Sequence, residues 1–213
     1  ELRYEGSSDP PLRALDKLGH VLYVNSFSKL LLPGIRVGYV TALAGLRDRL
    51  VTIKQAADLF TSSLMQRALT DYLESGHLDA HLATVHRVYR ERRDAMLAGL
   101  ARYMPAEARW TNPDGGLCLW LTLPPSVSAA QLYLTAIDRG VAFAVGSVFF
   151  PEDPAPSALR LNFAAHPTAR IEEGLRRLGR AVREHVGRSA ASPRQQGLKH
   201  TREPMLATDK SKG

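Results

Sequence analysis

The chain has 213 residues, of which 45% are apolar, and a formal charge of +7. That length supports one good-sized core or two modest ones in close contact, while no run nears the roughly 20 apolar residues of a membrane helix and no secretory start is evident. Six basic residues after Val186 (Arg188, Arg194, Lys199, Arg202, Lys210, Lys212) meet only Glu203 and Asp209, leaving about +3 on the body and little case for nucleic acid. A soluble cytoplasmic protein is the default expectation.

In chain order, the sequence opens at Glu1 inside a polar, proline-containing stretch, and a missing upstream segment is expected. His20 to Asn25 and Ile35 to Thr41 are β-branched and aromatic runs with Pro33-Gly34 between them, predicting strand, loop, strand. Beyond Ala44 the spacing turns helical. Ser63 and Gln66 have the form of a capping box for a helix to about Leu73, closed by Gly76. Leu82, Val85, Tyr89, Met96, Leu100 and Tyr103 then mark one face of a long helix from about Leu78. After Pro105 come strands near Ala108 to Thr111, Leu117 to Leu123, Val141 to Val145 and Ala158 to Phe163. Ser128 and Gln131 cap an intervening helix. A last helix, Thr168 to His185, carries an apolar stripe of Ile171, Leu175, Leu178 and Val182, with Glu172 and Glu173 near its positive end. Residues 188–213 form a basic tail too poor in apolar groups to order itself. The expected division is 1–75 as part of a larger sheet domain, then 76–187 as a connecting helix and a small α/β domain.

The single cysteine, Cys118, excludes a disulfide framework and predicts a buried, inert thiol. The chemically informative stretch is Ser26-Phe27-Ser28-Lys29-Leu30-Leu31-Leu32-Pro33-Gly34-Ile35-Arg36-Val37-Gly38-Tyr39. A strand ending in two hydroxyls and an amine, with an arginine brought back by a turn, lets two hydroxyls and a guanidinium converge on one anion beside a lysine. A phosphate suits such a nest, and a lysine held among apolar residues suits attack on a carbonyl. Phosphate plus aldehyde describes pyridoxal phosphate. The competing interpretation of a bare Ser-x-Ser-Lys is a solvated loop lysine with a surface strand arginine.

The full string, Ser-x-Ser-Lys followed by Pro-Gly-x-Arg-x-Gly, resembles the cofactor-lysine signature of the class I and II aminotransferases, fold-type I enzymes that use pyridoxal 5'-phosphate. The resemblance implies an α/β fold comprising part of a large, mixed-sheet domain and a small C-terminal α/β domain. It implies that Lys29 carries the cofactor as a Schiff base and acts as general base and acid, while Ser26, Ser28 and Arg36 hold the phosphate. Asn112-Pro113-Asp114-Gly115-Gly116-Leu117 resembles the family's Pro-x-Gly-Gly turn, in which Gly115 would let backbone approach the substrate. Arg160-Leu161-Asn162-Phe163 resembles the strand whose arginine clamps the substrate α-carboxylate. Lys54-Gln55-Ala56-Ala57-Asp58-Leu59 is similar to a stretch of the α-aminoadipate aminotransferase group and of MocR-type regulators in the GntR family.

The same resemblance implies transamination between an amino acid and a 2-oxo acid, in a homodimer, with the ring-stacking aromatic and the ring-nitrogen aspartate upstream of Glu1. The alternative is a ligand-sensing domain joined to DNA only through an upstream winged helix-turn-helix module. Two further features have structural explanations. His77 and His81 lie four apart but without a third ligand, which predicts solvated helix histidines and no metal. Arg87, Arg90, Arg92 and Arg93 alternate with Glu91 and Asp94 and lack interleaved aromatics, which predicts the charged outer face of the long helix.

Overall fold

A computed structural model describes residues 2–152 and 157–191. A short helix α1 (Leu12–Leu15) precedes strand β1 (Tyr23–Ser26). After a 3-10 turn at Pro33–Ile35, β2 (Gly38–Thr41) returns antiparallel to β1, pairing Tyr23 with Thr41 and Ser26 with Gly38. Helices α2 (Ala44–Asp58), α3 (Ser63–Glu74) and α4 (His77–Tyr103) come next. The rest is β3 (Arg109–Trp110), β4 (Cys118–Thr122), α5 (Ala129–Ile137), β5 (Ala144–Val145), β6 (Ala158–Asn162) and α6 (Thr168–Ala191). These four strands make one antiparallel sheet in the order β3-β4-β6-β5.

Apart from α1, which the sequence pattern did not suggest, each element lies within a few residues of its sequence expectation, and the differences have local causes. The cap of α3 is Ser62, whose hydroxyl accepts from Met65 N, so the capping residue is one position earlier than Ser63. The Gln66 amide donates to Thr61 O, so the expected reciprocal capping box does not form and Ser62 alone caps the helix. Ser128 caps α5 as expected, accepting from Gln131 N. Gly76, in the left-handed region at φ 70°, ends α3 and starts α4. Helix α6 runs six residues past His185, through the first four positions assigned to the tail. The remainder of that tail lies outside the described residues.

The core belongs to the second part of the chain. The strand face bearing Leu119, Leu121, Leu159 and Leu161 packs against Leu100 of α4, Leu132 of α5 and the α6 stripe Ile171, Leu175, Leu178 and Val182, all of them buried. Two glycines bring α4 and α6 together: a Cβ on Gly99 would meet Leu175 Cδ1 at 2.5 Å, and one on Gly179 would meet Tyr103 O at 2.4 Å. Tyr4, far away in sequence, joins the same core because residues 2–5 lie along the turn 113–116. The first part is different. Helix α2 buries no residue, and Val24, Ile53, Leu59, Phe60 and Leu64 are exposed. An apolar surface of this extent is the mark of a face made to be covered. No described helix is long and apolar enough to cross a membrane.

Candidate functional site

The hairpin presents the Ser-x-Ser-Lys string where β1 enters the loop that connects it to β2. Ser26 closes β1, Phe27 N donates to Val37 O (3.0 Å) and Leu31 N to Phe27 O (2.9 Å), so Ser28 and Lys29 sit on a tight turn that projects from the strands. Gly38 is required opposite Ser26, because a Cβ there would lie 2.9 Å from Asn25 O. Arg36 is one of two described non-glycine residues with positive φ, at 50°, and its Nη1 donates to Pro33 O (3.4 Å). An arginine held in the left-handed region is a strained position of the kind found at ligand sites.

Ser26, Ser28 and Arg36 line one cleft of about 1040 Å³ between the hairpin and α2, together with Asn25, Tyr39, Lys54 and Asp58. Both serines are half-buried and Arg36 is exposed. Two hydroxyls and a guanidinium on one wall form a donor set suited to a phosphate. Lys29 is exposed and does not line that cleft, although its neighbour Ser28 does.

Arg160 lies on the open face of β6, paired with Trp120 of β4 and Ala144 of β5. Its guanidinium rests 4.8 Å from the Phe149 ring centre, and Trp120 packs edge-on to Phe149 at 5.6 Å. Stacking on an aromatic face fixes the fork while leaving its N–H groups available to a carboxylate. Cys118 occupies the same face, opposite Asn162. The thiol is half-buried rather than fully buried, which corrects the sequence expectation. Burial pushes it up, while Arg160, Lys29 and a hydrogen bond with Asn162 pull it down. Arg160 and Lys29 thus both bear electrostatically on the Cys118 thiol, against the larger effect of burial.

Gly115 has the 2–5 segment as its immediate neighbour. Its Cβ position would lie 2.4 Å from Leu2 O and 2.7 Å from Arg3 Cα, so its lack of a side chain admits the 2–5 segment. That segment is tied to the turn by Gly116 N to Leu2 O (2.7 Å), by Tyr4 N to Asp114 O (3.1 Å) and by an ion pair of Arg3 with Asp114 (2.8 Å).

The arginines of α4 also depart from expectation. Arg93 is 4% exposed and donates to Pro113 O (3.0 Å), Asp94 and Glu5. Arg90 donates to Tyr4 O and Arg92 to Ala164 O. Arg87 pairs with Glu91 at the surface as expected, and Arg90 keeps its side chain half-exposed despite its bond to Tyr4 O. His81 is likewise no solvated helix residue, since its Nε2 donates to Leu30 O at 2.8 Å, whereas His77 is exposed beside the Tyr72 ring. No group of three potential metal ligands occurs among the described residues. Sequence spacing could not have found these anchors, because their acceptors are backbone carbonyls up to 86 residues away.

Comparison with known proteins matches residues 4–178 to the family described as aminotransferase class I and II. The chain is 42% identical over 163 residues to a 2-aminoadipate transaminase of Thermus thermophilus, covering 76% of this chain and 41% of that protein. It superposes on the crystal structure of a multiple substrate aminotransferase from Thermococcus profundus with a TM-score of 0.83 at 38% identity, covering 88% of this chain and 46% of that one. It is also 33% identical over 178 residues to an uncharacterized HTH-type transcriptional regulator, YdfD, of Bacillus subtilis, covering 84% of this chain and 36% of the regulator. The chain thus spans less than half the length of each of these relatives.

Proposed function

The chain belongs to the aminotransferase class I and II family, and from that premise we propose that it carries the cofactor-lysine portion of a pyridoxal-phosphate-dependent aminotransferase that passes an amino group between an amino acid and a 2-oxo acid. The observation that carries this is the convergence of Ser26, Ser28 and Arg36 on one cleft at the end of the hairpin from which Lys29 springs. When bound, pyridoxal phosphate supplies an aldehyde to which amines condense and a conjugated ring that accepts an electron pair. The chain's own residues would do the rest. Ser26, Ser28 and Arg36 hold the phosphate oxygens by charge-assisted hydrogen bonds. Lys29 would hold the group through its amine and, when free, would move a proton at the substrate Cα. Arg160, braced on Phe149, takes the substrate carboxylate in its fork. Gly115, on the turn that leads into β4, keeps that edge of the site low. The open apolar surface of α2 and its neighbours fits burial in a homodimer whose active site lies at the subunit interface.

The similarity to YdfD supports a second role for the same residues: a cofactor-binding effector domain in a regulator whose DNA contacts are made by a separate winged helix-turn-helix module. The two roles differ in turnover. A titration of the purified chain with pyridoxal phosphate, followed by visible absorbance, borohydride reduction and mass mapping, tests what both require. The expected result is reduced cofactor on Lys29, lost in Lys29→Ala. Label spread over other lysines and unchanged in Lys29→Ala would overturn the assignment, as would a folded chain that takes up none. Amino-donor screening with 2-oxo acid acceptors, starting from aminoadipate, then separates enzyme from sensor.

A further inference from the structure

Helix α4 holds the backbone beside Lys29, just past Arg160 and on either side of the glycine turn. His81 Nε2 donates to the carbonyl of Leu30, the buried neighbour of Lys29, at 2.8 Å. Arg92 donates to the carbonyl of Ala164, on the turn just past Arg160 that Asn162 Oδ1 closes by accepting from Ala164 N and Ala165 N. Arg90 and Arg93 hold Tyr4 O and Pro113 O on either side of the glycine turn. These are long-range ties from side chains to main chain. They fix where a segment runs, whatever side chains it bears.

The placement is regular. Eleven residues at about 100° each come within about 20° of three full turns, so His81 and Arg92 project from one face of α4, about 16 Å apart along its axis. Such a link is needed, because the β1–β2 hairpin and the four-stranded sheet share no strand among the described residues and no ladder of hydrogen bonds sets their relation. A continuous helix of 27 residues is the stiffest connection between them.

We propose that α4 is a gauge that sets Lys29 against Arg160, with His81 and Arg92 as positioning residues at its two ends. His81 fixes the lysine turn and Arg92 fixes the end of the arginine strand. The helix between them holds the spacing that a ligand bridging amine and guanidinium would require. This deepens the proposed function and rests on its assignment of Lys29 and Arg160.

The chain contains its own reporter. Cys118 is the sole cysteine, and its thiol, pushed up by burial, is held from rising further by Arg160 and Lys29. The rate of alkylation by iodoacetamide against pH therefore reads whether those cations stay in place, and it needs no cofactor. Lys29→Ala is expected to shift the profile upward. His81→Asn, whose shorter amide falls short of Leu30 O, is expected to shift it upward too, His81→Gln to restore it, and His81→Asn to add nothing in the Lys29→Ala background. Arg92→Met measured against Arg160→Met forms an independent arm, usable even where a His81 variant does not fold. A wild-type profile in folded His81→Asn and Arg92→Met, or equal shifts in the presence and absence of Lys29 or Arg160, would overturn the proposal. Failure of the cofactor titration would leave these profiles unaffected, so the two failures are distinguishable.

Discussion

Replacing Arg93 by methionine separates a structural anchor from a solvated helix arginine. The Arg93 residue is 4% exposed, and methionine fills much of the space of its aliphatic stem, so little cavity is left. Glu5 and Asp94, its carboxylate partners, have side chains 42% and 55% exposed and rehydrate when the guanidinium is removed. What is lost is the charged donor to Pro113 O at 3.0 Å, worth about 1.5–3 kcal/mol, and the guanidinium packed 5.3 Å from the Tyr4 ring centre, worth about 0.5–1 kcal/mol. The expected cost is about 2–4 kcal/mol, read from urea unfolding by a lower midpoint at unchanged slope. Arg87→Met is the control on the same helix: its ion pair with Glu91 is exposed, and its loss should stay within about 0.5 kcal/mol. Arg93→Met as mild as Arg87→Met would refute the reasoning and return Arg93 to the outer face of α4.

Other outcomes rest on single neighbours. Gly174→Ala in α6 meets nothing within 4 Å and should stabilise by about 0.5–1 kcal/mol, whereas Gly179→Ala, five residues on, would press its Cβ to 2.4 Å from Tyr103 O and destabilise by about 1–3 kcal/mol; thermal melts showing the same sign for both would contradict the helix contact. Hydrogen bonds from Arg176 and Arg177 lower the Glu173 carboxyl to about 2. A value depressed on folding stabilises fully above the ordinary 4.5 and fades as pH falls toward 2, so the melting difference between wild type and Glu173→Gln should hold at neutral pH and vanish in that acid window. Burial raises the Tyr4 phenol to about 12, so its contribution holds below pH 10 and is lost as pH climbs through 12. An ultraviolet titration should show a late-ionising phenol that is absent in Tyr4→Phe.

The elements and the cofactor string were legible because their signals are local. Ser26, Ser28, Lys29 and Arg36 lie within eleven residues, and the stripe from Ile171 to Val182 announces its helix face by spacing alone. The anchors were hidden for a physical reason. An arginine between Glu91 and Asp94 on a helix carries the same local pattern whether it meets water or, as Arg93 does, the carbonyl of Pro113. His81 and Arg92 are equally silent, since a carbonyl acceptor has no sequence signature. Gly115 was recognised as a close approach, but what approaches is the backbone of Leu2 and Arg3. The Ser62 cap was displaced by one position because adjacent serines offer the same hydroxyl and only the backbone chooses between them.

Arg36 has a consequence for anyone seeking to harden this protein against heat. Its φ of 50° marks it as a place where glycine would relieve about 1–2 kcal/mol of backbone strain. A redesign guided by thermal stability alone would take that substitution early and would see a firmer hairpin as the result. It would also remove the guanidinium that faces the cleft with Ser26 and Ser28. Under the proposed function, resilience and anion capture thus pull on the same residue in opposite directions.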